Sequence, residues 1–391
     1  MANGKPNAGL MDVPSQLDND ELAAEVELEL PDSSNVVMAD IEATDVGSIE
    51  IKPEDDGGVV IDFDPQDQRG TSDDFYANLA EEIPERELAR ISSDLIGEFD
   101  ANKASRQEWE DAYTNGLELL GFTYDERTQP FRGASGVTHP LLAEAATQFQ
   151  AQAFNELLPA SGPVRTVVMG KDTVSKTQQA ARVRQFMNYY IANVMEEYTP
   201  DMDQMLFYLP LAGSTFKKTY YDETLGRAVS KFVPAENLVV PYETADLETC
   251  PNITQVVRMS LNDLRKRQIA GTYLDVEVIP AQKEMSDLDG EMDRIEGLEP
   301  NQIDYDCTIL ECHVDLDLEG YEDMDSDGEP TGIKIPYIVT ISEDNGQILS
   351  IRRNYREDDE LRKKIQYFTH FKFLPGFGFY GLGLILSLIH I

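Results

Sequence analysis

Apolar residues recur every three or four positions through residues 84–200, which is the spacing of amphipathic helices. Helical stretches begin at Pro84, at Pro140, near position 175 and at Pro200. Proline suits the first helical position because its missing N–H would be unpaired there in any case. The sequence therefore predicts four helical segments with apolar faces. The first three faces consist of Leu88, Ile91, Leu95, Ile96, Phe99, Trp109, Tyr113, Leu117 and Leu120; then Leu141, Ala145, Phe149, Ala153 and Leu157; then Val183, Phe186, Tyr190 and Val194.

Past Gly213 the pattern changes to alternating apolar and polar residues, which is typical of strands. Residues 216–221 and 227–233 flank a turn that ends in Gly226, and they predict a β-hairpin. Residues 280–300 have helical character, but they are acidic, so we expect them to contribute little to a hydrophobic core. Helices first and antiparallel strands afterwards predict an α+β fold. Further strands are predicted at 238–240, 253–259, 307–318, 333–342, 347–355 and 367–373.

Acidic residues outnumber basic ones by 73 to 32 in the 391 residues, which gives a net charge of −41. This charge excludes an ordinary nucleic-acid-binding protein, which neutralises phosphates with lysine and arginine. The imbalance is strongest near the start, where short acidic patches alternate with proline and glycine, so we predict a disordered acidic arm over 1–70. A tail that binds a basic partner is the alternative. Three cysteines cannot form a disulfide framework and suit a reducing compartment.

Residues 376–381 match the letters of the dinucleotide-binding fingerprint Gly-x-Gly-x-x-Gly. That site also needs a preceding parallel strand, a following helix and an acidic residue about 20 positions later. Here Pro375 precedes the first glycine, and ten residues follow the last one. We interpret the segment as a flexible, aromatic-rich turn at which the chain reverses.

Asp323, Asp325, Asp327 and Gly328 match the first half of a calcium-binding loop. The twelfth position of such a loop should be a bidentate glutamate, but it is Lys334 here. The flanking segments are predicted strands rather than helices. We therefore interpret the segment as an aspartate-rich hairpin tip, with weak calcium binding as the alternative.

Cys307, Cys312 and His313 suggest a metal site, but they lie on one predicted strand. A separation of five residues places the two sulfurs on opposite faces of that strand. Side chains on two faces cannot complete a tetrahedral zinc site. We interpret both cysteines as buried structural thiols.

Four basic clusters stand out in this acidic chain, and we interpret them as solvated faces or as sites of ion pairs between subunits. Local contact with DNA phosphate is the alternative. The sequence contains no Gly-x-Ser-x-Gly elbow and no phosphate-binding P-loop, and pairs of acidic residues arise by chance at this acidity. No catalytic, cofactor-binding or metal-binding residue is therefore predicted. The clusters are Lys217-Lys218, Arg265-Lys266-Arg267, Arg352-Arg353 and Arg362-Lys363-Lys364.

Five motifs between about 80 and 385 are distinctive in their order and spacing. They are Glu108-Trp109-Glu110-Asp111; Gly133-Ala134-Ser135-Gly136-Val137-Thr138-His139-Pro140-Leu141 with Leu157-Leu158-Pro159; Ala212-Gly213-Ser214-Thr215-Phe216-Lys217-Lys218; Val233-Pro234-Ala235-Glu236-Asn237; and Phe373-Leu374-Pro375-Gly376-Phe377-Gly378-Phe379-Tyr380-Gly381. In order and spacing these motifs resemble the portal (head-tail connector) proteins of short-tailed bacteriophages. None of them is a catalytic signature.

The resemblance implies a domain organisation for the chain. Residues 71–271 correspond to a wing domain of helices followed by β-hairpins, and 272–356 to an acidic segment and a β-rich clip-like region. Residues 357–385 correspond to the turn that leads toward the stem helices around the channel. The fold implied is α+β, a helical wing followed by an antiparallel β wing and clip region, with the acidic arm at the N-terminus.

The resemblance also implies partners. About twelve copies form a ring at one capsid vertex, which contacts the major capsid protein, docks the terminase motor during packaging and later holds tail and adaptor proteins. The location is the virion, and the host cytoplasm during assembly. Double-stranded DNA passes through without tight binding, and negative walls suit that passage because they repel phosphate. The family has no catalytic centre or cofactor, and no membrane association is expected. Mixed-charge faces at 182–185 and 264–268 suit contacts between subunits.

The end of the sequence departs from the family, whose members continue for hundreds of residues past the turn at 378–381. We therefore expect a C-terminally truncated portal sequence. Residues 386–391 equal the translation of a common sequencing-library adapter, and we interpret them as an artefactual tail. Two other hypotheses stay open at this point: another acidic virion component such as a head-tail adaptor, and a metal-dependent hydrolase that uses aspartate clusters.

Overall fold

The chain divides into two compact units, residues 1–69 and 70–391. The first unit contains the antiparallel pair β1 (Glu50–Pro53) and β2 (Val59–Asp62), two strands within the arm predicted to be disordered. The rest of that arm lies outside the described residues. The computed structural model describes residues 50–53, 59–62, 75–117, 120, 131, 133, 140–171, 173–222, 225–278, 286–296, 307–324, 329–359, 361–376 and 378–385.

The helices of the second unit follow the predicted apolar spacing closely at its start. Between Ile91 and Leu117, every residue predicted for the first face is buried except Ile96, which is half-buried. Seven α-helices lie within the described residues of the second unit. They are α1 (Glu85–Ser105), α2 (Gln107–Leu117), α3 (Leu141–Leu157), α4 (Val174–Tyr189), α5 (Tyr198–Ala212), α6 (Leu261–Ile269) and α7 (Asp287–Glu296), with a π-helical turn at Tyr190–Val194 between α4 and α5.

Two antiparallel sheets complete the second unit, so the predicted α+β class is confirmed. The smaller sheet has the order β10-β3-β4, and the larger one has the order β5-β6-β7-β8-β9. The predicted hairpin is present, with Asp222 opposite Arg227. The strands are β3 (Ser214–Asp222), β4 (Arg227–Pro234), β5 (Leu238–Val239), β6 (Asn252–Met259), β7 (Cys307–Leu316), β8 (Ile335–Ser342), β9 (Ile348–Arg353) and β10 (Phe368–Lys372).

The larger sheet is buried on both faces. From β7, Leu310 and Cys312 pack into one cluster with Leu95 of α1, and Cys307 and Ile309 pack into another. From Cys307 to Val314 every residue of β7 is buried except Glu311, which is half-buried, as expected for a strand covered on both sides. The two cysteines lie on opposite faces, as the sequence predicted.

The smaller sheet packs against a separate core that joins helices from distant parts of the sequence. Its strand residues Phe216, Val233 and Phe368 share this core with Trp109 of α2 and with Phe379 near the end of the chain. Several of these aromatic side chains form the candidate functional site.

Two expectations about helices, those for α3 and α7, are wrong in part. In α3 the buried positions are Leu142 and Ala146, one step around the helix from the predicted line, and Leu141 is 56% exposed. Leu142 and Ala146 pack in the core around Trp109. Phe149 and Ala153 of the predicted line pack against the methionines of α5, so that line is wrong only in part. In α7, Leu288 is buried and Met292 packs against the Trp109 core, so this acidic segment contributes more to the core than its composition suggested. No helix within the described residues combines the length and apolarity that crossing a membrane requires.

Candidate functional site

A set of buried contacts connects residues 378–383 to the helices and to the smaller sheet. We call it the Tyr380 joint. It consists of Arg106 and Trp109, Gly213 after α5, residues 235–238, and residues 378–383. Its parts come from four regions that are far apart in the sequence, so the tertiary fold alone brings them together.

Tyr380 lies at the centre of the joint and is 4% exposed. Its ring stacks on Trp109, with ring centroids 4.7 Å apart and an interplanar angle of 17°. Its hydroxyl donates a hydrogen bond to the carbonyl oxygen of Leu238 at 2.9 Å and accepts one from Arg106 Nη1 at 3.0 Å. Burial raises the pKa of Tyr380, although Arg106 acts in the opposite direction, so the phenol stays neutral. Because the ring is stacked and the hydroxyl is hydrogen-bonded, this side chain is held in one position.

Arg106 lies in the turn between α1 and α2, and its hydrogen bonds connect several parts of the joint. Its guanidinium donates to the backbone oxygens of Ala235, Glu236 and Leu238 at 3.1, 2.6 and 3.0 Å, and its Nε donates to Glu110 Oε1 at 2.8 Å. Burial alone would lower the pKa of Arg106, but Tyr380 and Glu110 raise it above its usual value. A buried arginine costs stability unless its donors are paired, and here they are.

Glycines let two backbone segments of the joint approach closely. Gly213 ends α5 in the left-handed region with φ +78°, and a Cβ there would meet backbone atoms of Gly381 and Gly383. Gly381 in turn would place a Cβ against the carbonyl oxygen of Gly213. The amide of Phe373 donates to that same oxygen at 2.9 Å. These contacts leave no space for larger residues at either glycine.

Phe379 fills the space beside the smaller sheet. Its ring stacks on His370 with centroids 4.6 Å apart, and His370 stacks on Phe216 at 4.5 Å. Burial lowers the pKa of His370 to about 3, and Lys372 adds to this, so the imidazole is neutral at pH 7. Its Nε2 lies 3.0 Å from the hydroxyl of Ser214.

A buried carboxylate borders the joint. Glu236 Oε2 is inaccessible to solvent and has no hydrogen-bond partner among the described residues. Burial raises the pKa of Glu236 to about 7, partly offset by Arg106, while Asp289 and Glu110 raise it further. This group therefore changes charge near neutral pH.

The cysteine and histidine residues considered for a metal serve other roles. Both cysteines are buried thiols, and His313 Nε2 lies 2.8 Å from Glu311 Oε1. Lys218 Nζ donates to Glu311 Oε1 at 2.6 Å, which joins the smaller sheet to the larger one. Within the described part of the chain, no group of three histidine, cysteine or acidic side chains is placed to hold a metal ion. His139 and His390 lie outside that part.

The acidic segment considered for calcium lies between β7 and β8, two antiparallel strands, so its flanks are those of a hairpin. The carboxylate of Asp323 pairs with Arg362 and accepts from the hydroxyl of Thr331 at 2.7 Å. Residues 325–328 lie outside the described residues.

The glycine-rich segment at 376–381 does reverse the chain, because the amide of Leu382 donates to the oxygen of Leu374 at 2.8 Å. The strand before it, β10, is antiparallel to β3, whereas a dinucleotide fingerprint needs a parallel strand. The interpretation of this turn as flexible is wrong, since Phe379 and Tyr380 are buried.

The interpretation of the basic clusters as solvated faces is wrong for Lys217 and Arg353, which contact other parts of the chain, whereas the cluster at 265–267 is exposed as interpreted. Lys217 is buried, with Nζ 3.9 Å from the centroid of the Tyr198 ring, and burial lowers its pKa to about 8. Arg353 donates to the oxygen of Phe75 at 2.6 Å. The proposed face at 264–268 is also partly internal, because the Gln268 amide donates to Val276 O at 2.7 Å.

Sequence reasoning missed the role of Arg106 and the pairing of Gly213 with Gly381. The available signals were the Arg106–Glu110 spacing of four residues and the glycines themselves, but neither signal identifies a partner more than 100 residues away. Comparison with models of known protein families gives no match, and comparison with curated proteins gives none either.

Proposed function

We propose that this chain is a subunit of the portal ring of a short-tailed bacteriophage, the channel at one capsid vertex through which DNA enters and leaves. One observation carries the proposal. Four of the five motifs that resemble portal proteins contribute to the Tyr380 joint, through Trp109, Gly213, Glu236 and Tyr380. Motifs that are scattered in sequence but meet at one place support a shared structural role for these residues.

The proposed role of the joint is to fix the direction in which the chain leaves the folded unit. Residues 71–271 are then the wing, 272–356 the clip-like region that meets the packaging motor, and 357–385 the start of the path toward the channel stem. A rigid joint suits this task because stacked aromatic rings, a paired buried arginine and touching backbones allow little rotation.

The negative charge fits the passage of DNA. A channel wall that repels phosphate keeps DNA from adhering during packaging and ejection. The proposed partners are other copies of this chain, the terminase motor, the major capsid protein and tail or adaptor proteins.

Electron microscopy of the protein purified from the complete reading frame tests the proposal. We expect rings with a central channel and a subunit number near twelve. A monomer, or a compact oligomer without a channel, under conditions in which virus heads form would overturn it. The alternative of a head-tail adaptor predicts binding to a separate portal ring rather than a ring that forms first.

A further inference from the structure

One face of the molecule is both apolar and basic. We call it the α4 face, and it comprises α4 and residues 163–171 before it, which form neither helix nor strand. None of the sixteen residues of α4 is buried. An exposed helix of this length gains little stability by itself, since helices in proteins depend on packing. Its exposed apolar side chains are Val167 (84%), Met169 (88%), Val174 (77%), Val183 (47%), Phe186 (51%), Met187 (39%) and Tyr189 (58%).

Residues 164–169 lie against the helix. The amide of Val164 donates to Asn188 Oδ1 at 2.8 Å, and the hydroxyl of Thr166 donates to the oxygen of Ala180 at 2.9 Å. Exposure alternates along this segment, so Val167 and Met169 are exposed while Thr166 and Val168 are half-buried. Residues 165–169 make no backbone hydrogen bonds to other described residues. Free backbone groups beside an apolar surface favour docking of another chain.

The charge of this face is opposite to that of the rest of the molecule. Residues 163–189 hold five basic residues and one acidic residue, in a chain with 73 acidic and 32 basic residues. No ion pair joins any of the five to another residue in the described ranges. A partner for this face should therefore be apolar and acidic. The five are Arg165, Lys171, Lys176, Arg182 and Arg184.

We propose that the α4 face binds an acidic surface of a second copy of this chain. The face cannot pair with itself, because a two-fold contact would bring five positive charges against five others. The contact is therefore head-to-tail, with a different surface of the neighbour as its partner. Head-to-tail contacts generate rings when the rotation closes, whereas self-complementary contacts generate dimers. This inference rests on the proposed function, since it names the surface that would build the ring.

The first test reverses charge on the face in the protein from the complete reading frame. R182E/R184E places acidic residues opposite an acidic surface, so we expect the assembly to dissociate to monomers by mass photometry. V167D/M169D should do the same, and circular dichroism should show an unchanged fold because both side chains are exposed. The matched control is R86E/K103E, which makes the same charge change at exposed positions of α1 and should assemble like the wild type.

A mixing experiment tests the head-to-tail geometry. A subunit with a defective α4 face still offers its acidic surface, so it should end a growing arc. Adding one part of R182E/R184E to ten parts of wild type should therefore replace closed rings with open arcs. Wild-type rings of unchanged number would contradict head-to-tail assembly.

The outcomes separate this inference from the proposed function. Normal rings formed by R182E/R184E overturn the inference and leave the portal proposal standing. If the wild type forms an oligomer without a channel and R182E/R184E does not form it, the portal proposal is overturned. That result supports self-contact through the α4 face. Wild-type protein that is monomeric at every concentration overturns both.

Discussion

Trp109 and Tyr380 stack face to face, with ring centroids 4.7 Å apart, although 271 residues separate them in the sequence. Tyr113 extends the stack, with its centroid 5.5 Å from that of Trp109. The stack connects the second helix of the folded unit to the segment where the chain turns at 378–381. Closing so long a loop costs entropy, so the contacts at the joint have to offset that cost.

Replacing Tyr380 with phenylalanine keeps the stack and removes only the hydroxyl. The hydrogen bonds of the hydroxyl to Arg106 and Leu238 are lost, while Arg106 Nη1 keeps the backbone oxygens of Ala235 and Leu238 as acceptors, so we expect a loss of about 1–2 kcal/mol in the free energy of unfolding. Urea denaturation measures it. The control is Tyr221→Phe, at a tyrosine 64% exposed, which should change stability by less than about 0.5 kcal/mol. Equal effects of the two substitutions would contradict a structural role for the Tyr380 hydroxyl.

Alanine at Gly213 should be more damaging than alanine at Gly271. Both glycines follow a helix with positive φ, +78° and +71°, so both substitutions carry a similar conformational cost of about 1–2 kcal/mol. Only Gly213 faces another backbone, whereas a Cβ at Gly271 meets nothing within 4 Å. We expect Gly213→Ala to cost at least about 2 kcal/mol more than Gly271→Ala, measured by thermal unfolding of matched samples. The same cost at both sites would show that the backbones around Gly213 can separate freely.

The local elements of this fold were predictable because their signals are local. The hairpin around Gly226 follows from alternation on both sides of a turn, and the first helix follows from apolar spacing after Pro84. The opposite orientation of Cys307 and Cys312 follows from their odd separation on a strand. Each of these features depends on neighbours within about ten residues.

The joint was not predictable in the same way, because its contacts depend on tertiary packing. Nothing near Arg106 shows that its guanidinium will bind oxygens of residues 235–238. The burial of Lys217 was not predictable either, because a lysine on a strand is expected to be exposed and only the tertiary fold places α5 over it. The sequence shows that the α4 face contains apolar and basic residues, but only the structure shows that no described element covers them.

Stability should depend on pH through Glu236. Its pKa is about 7 in the folded protein, above the ordinary 4.5, so the folded state binds more protons than the unfolded state between these values. Stability is therefore lost as pH rises from about 4.5 to 7, by up to roughly 3 kcal/mol, and then stays constant. Glu236→Gln should remove this fall, which urea titrations at pH 5, 6, 7 and 8 can measure against wild type. Glu81→Gln, at an exposed site, serves as the control and should leave the wild-type pH profile unchanged. A profile for Glu236→Gln parallel to that of the wild type would rule out titration at this carboxylate.

The ion pair between Lys218 and Glu311 should matter because it is largely buried and joins the two sheets. Burial by itself would raise the pKa of Glu311, but Lys218 and His313 hold it well below its usual value, so Lys218→Met leaves a buried negative charge unpaired. We expect that substitution to cost about 3 kcal/mol in urea denaturation, and Lys218→Met with Glu311→Gln to recover most of it, because the charge is then gone. Arg265→Met breaks an exposed pair with Asp275 and should cost less than about 1 kcal/mol. If Lys218→Met costs no more than Arg265→Met, or if the double substitution recovers nothing, the two sheets are held together by apolar packing rather than by this pair.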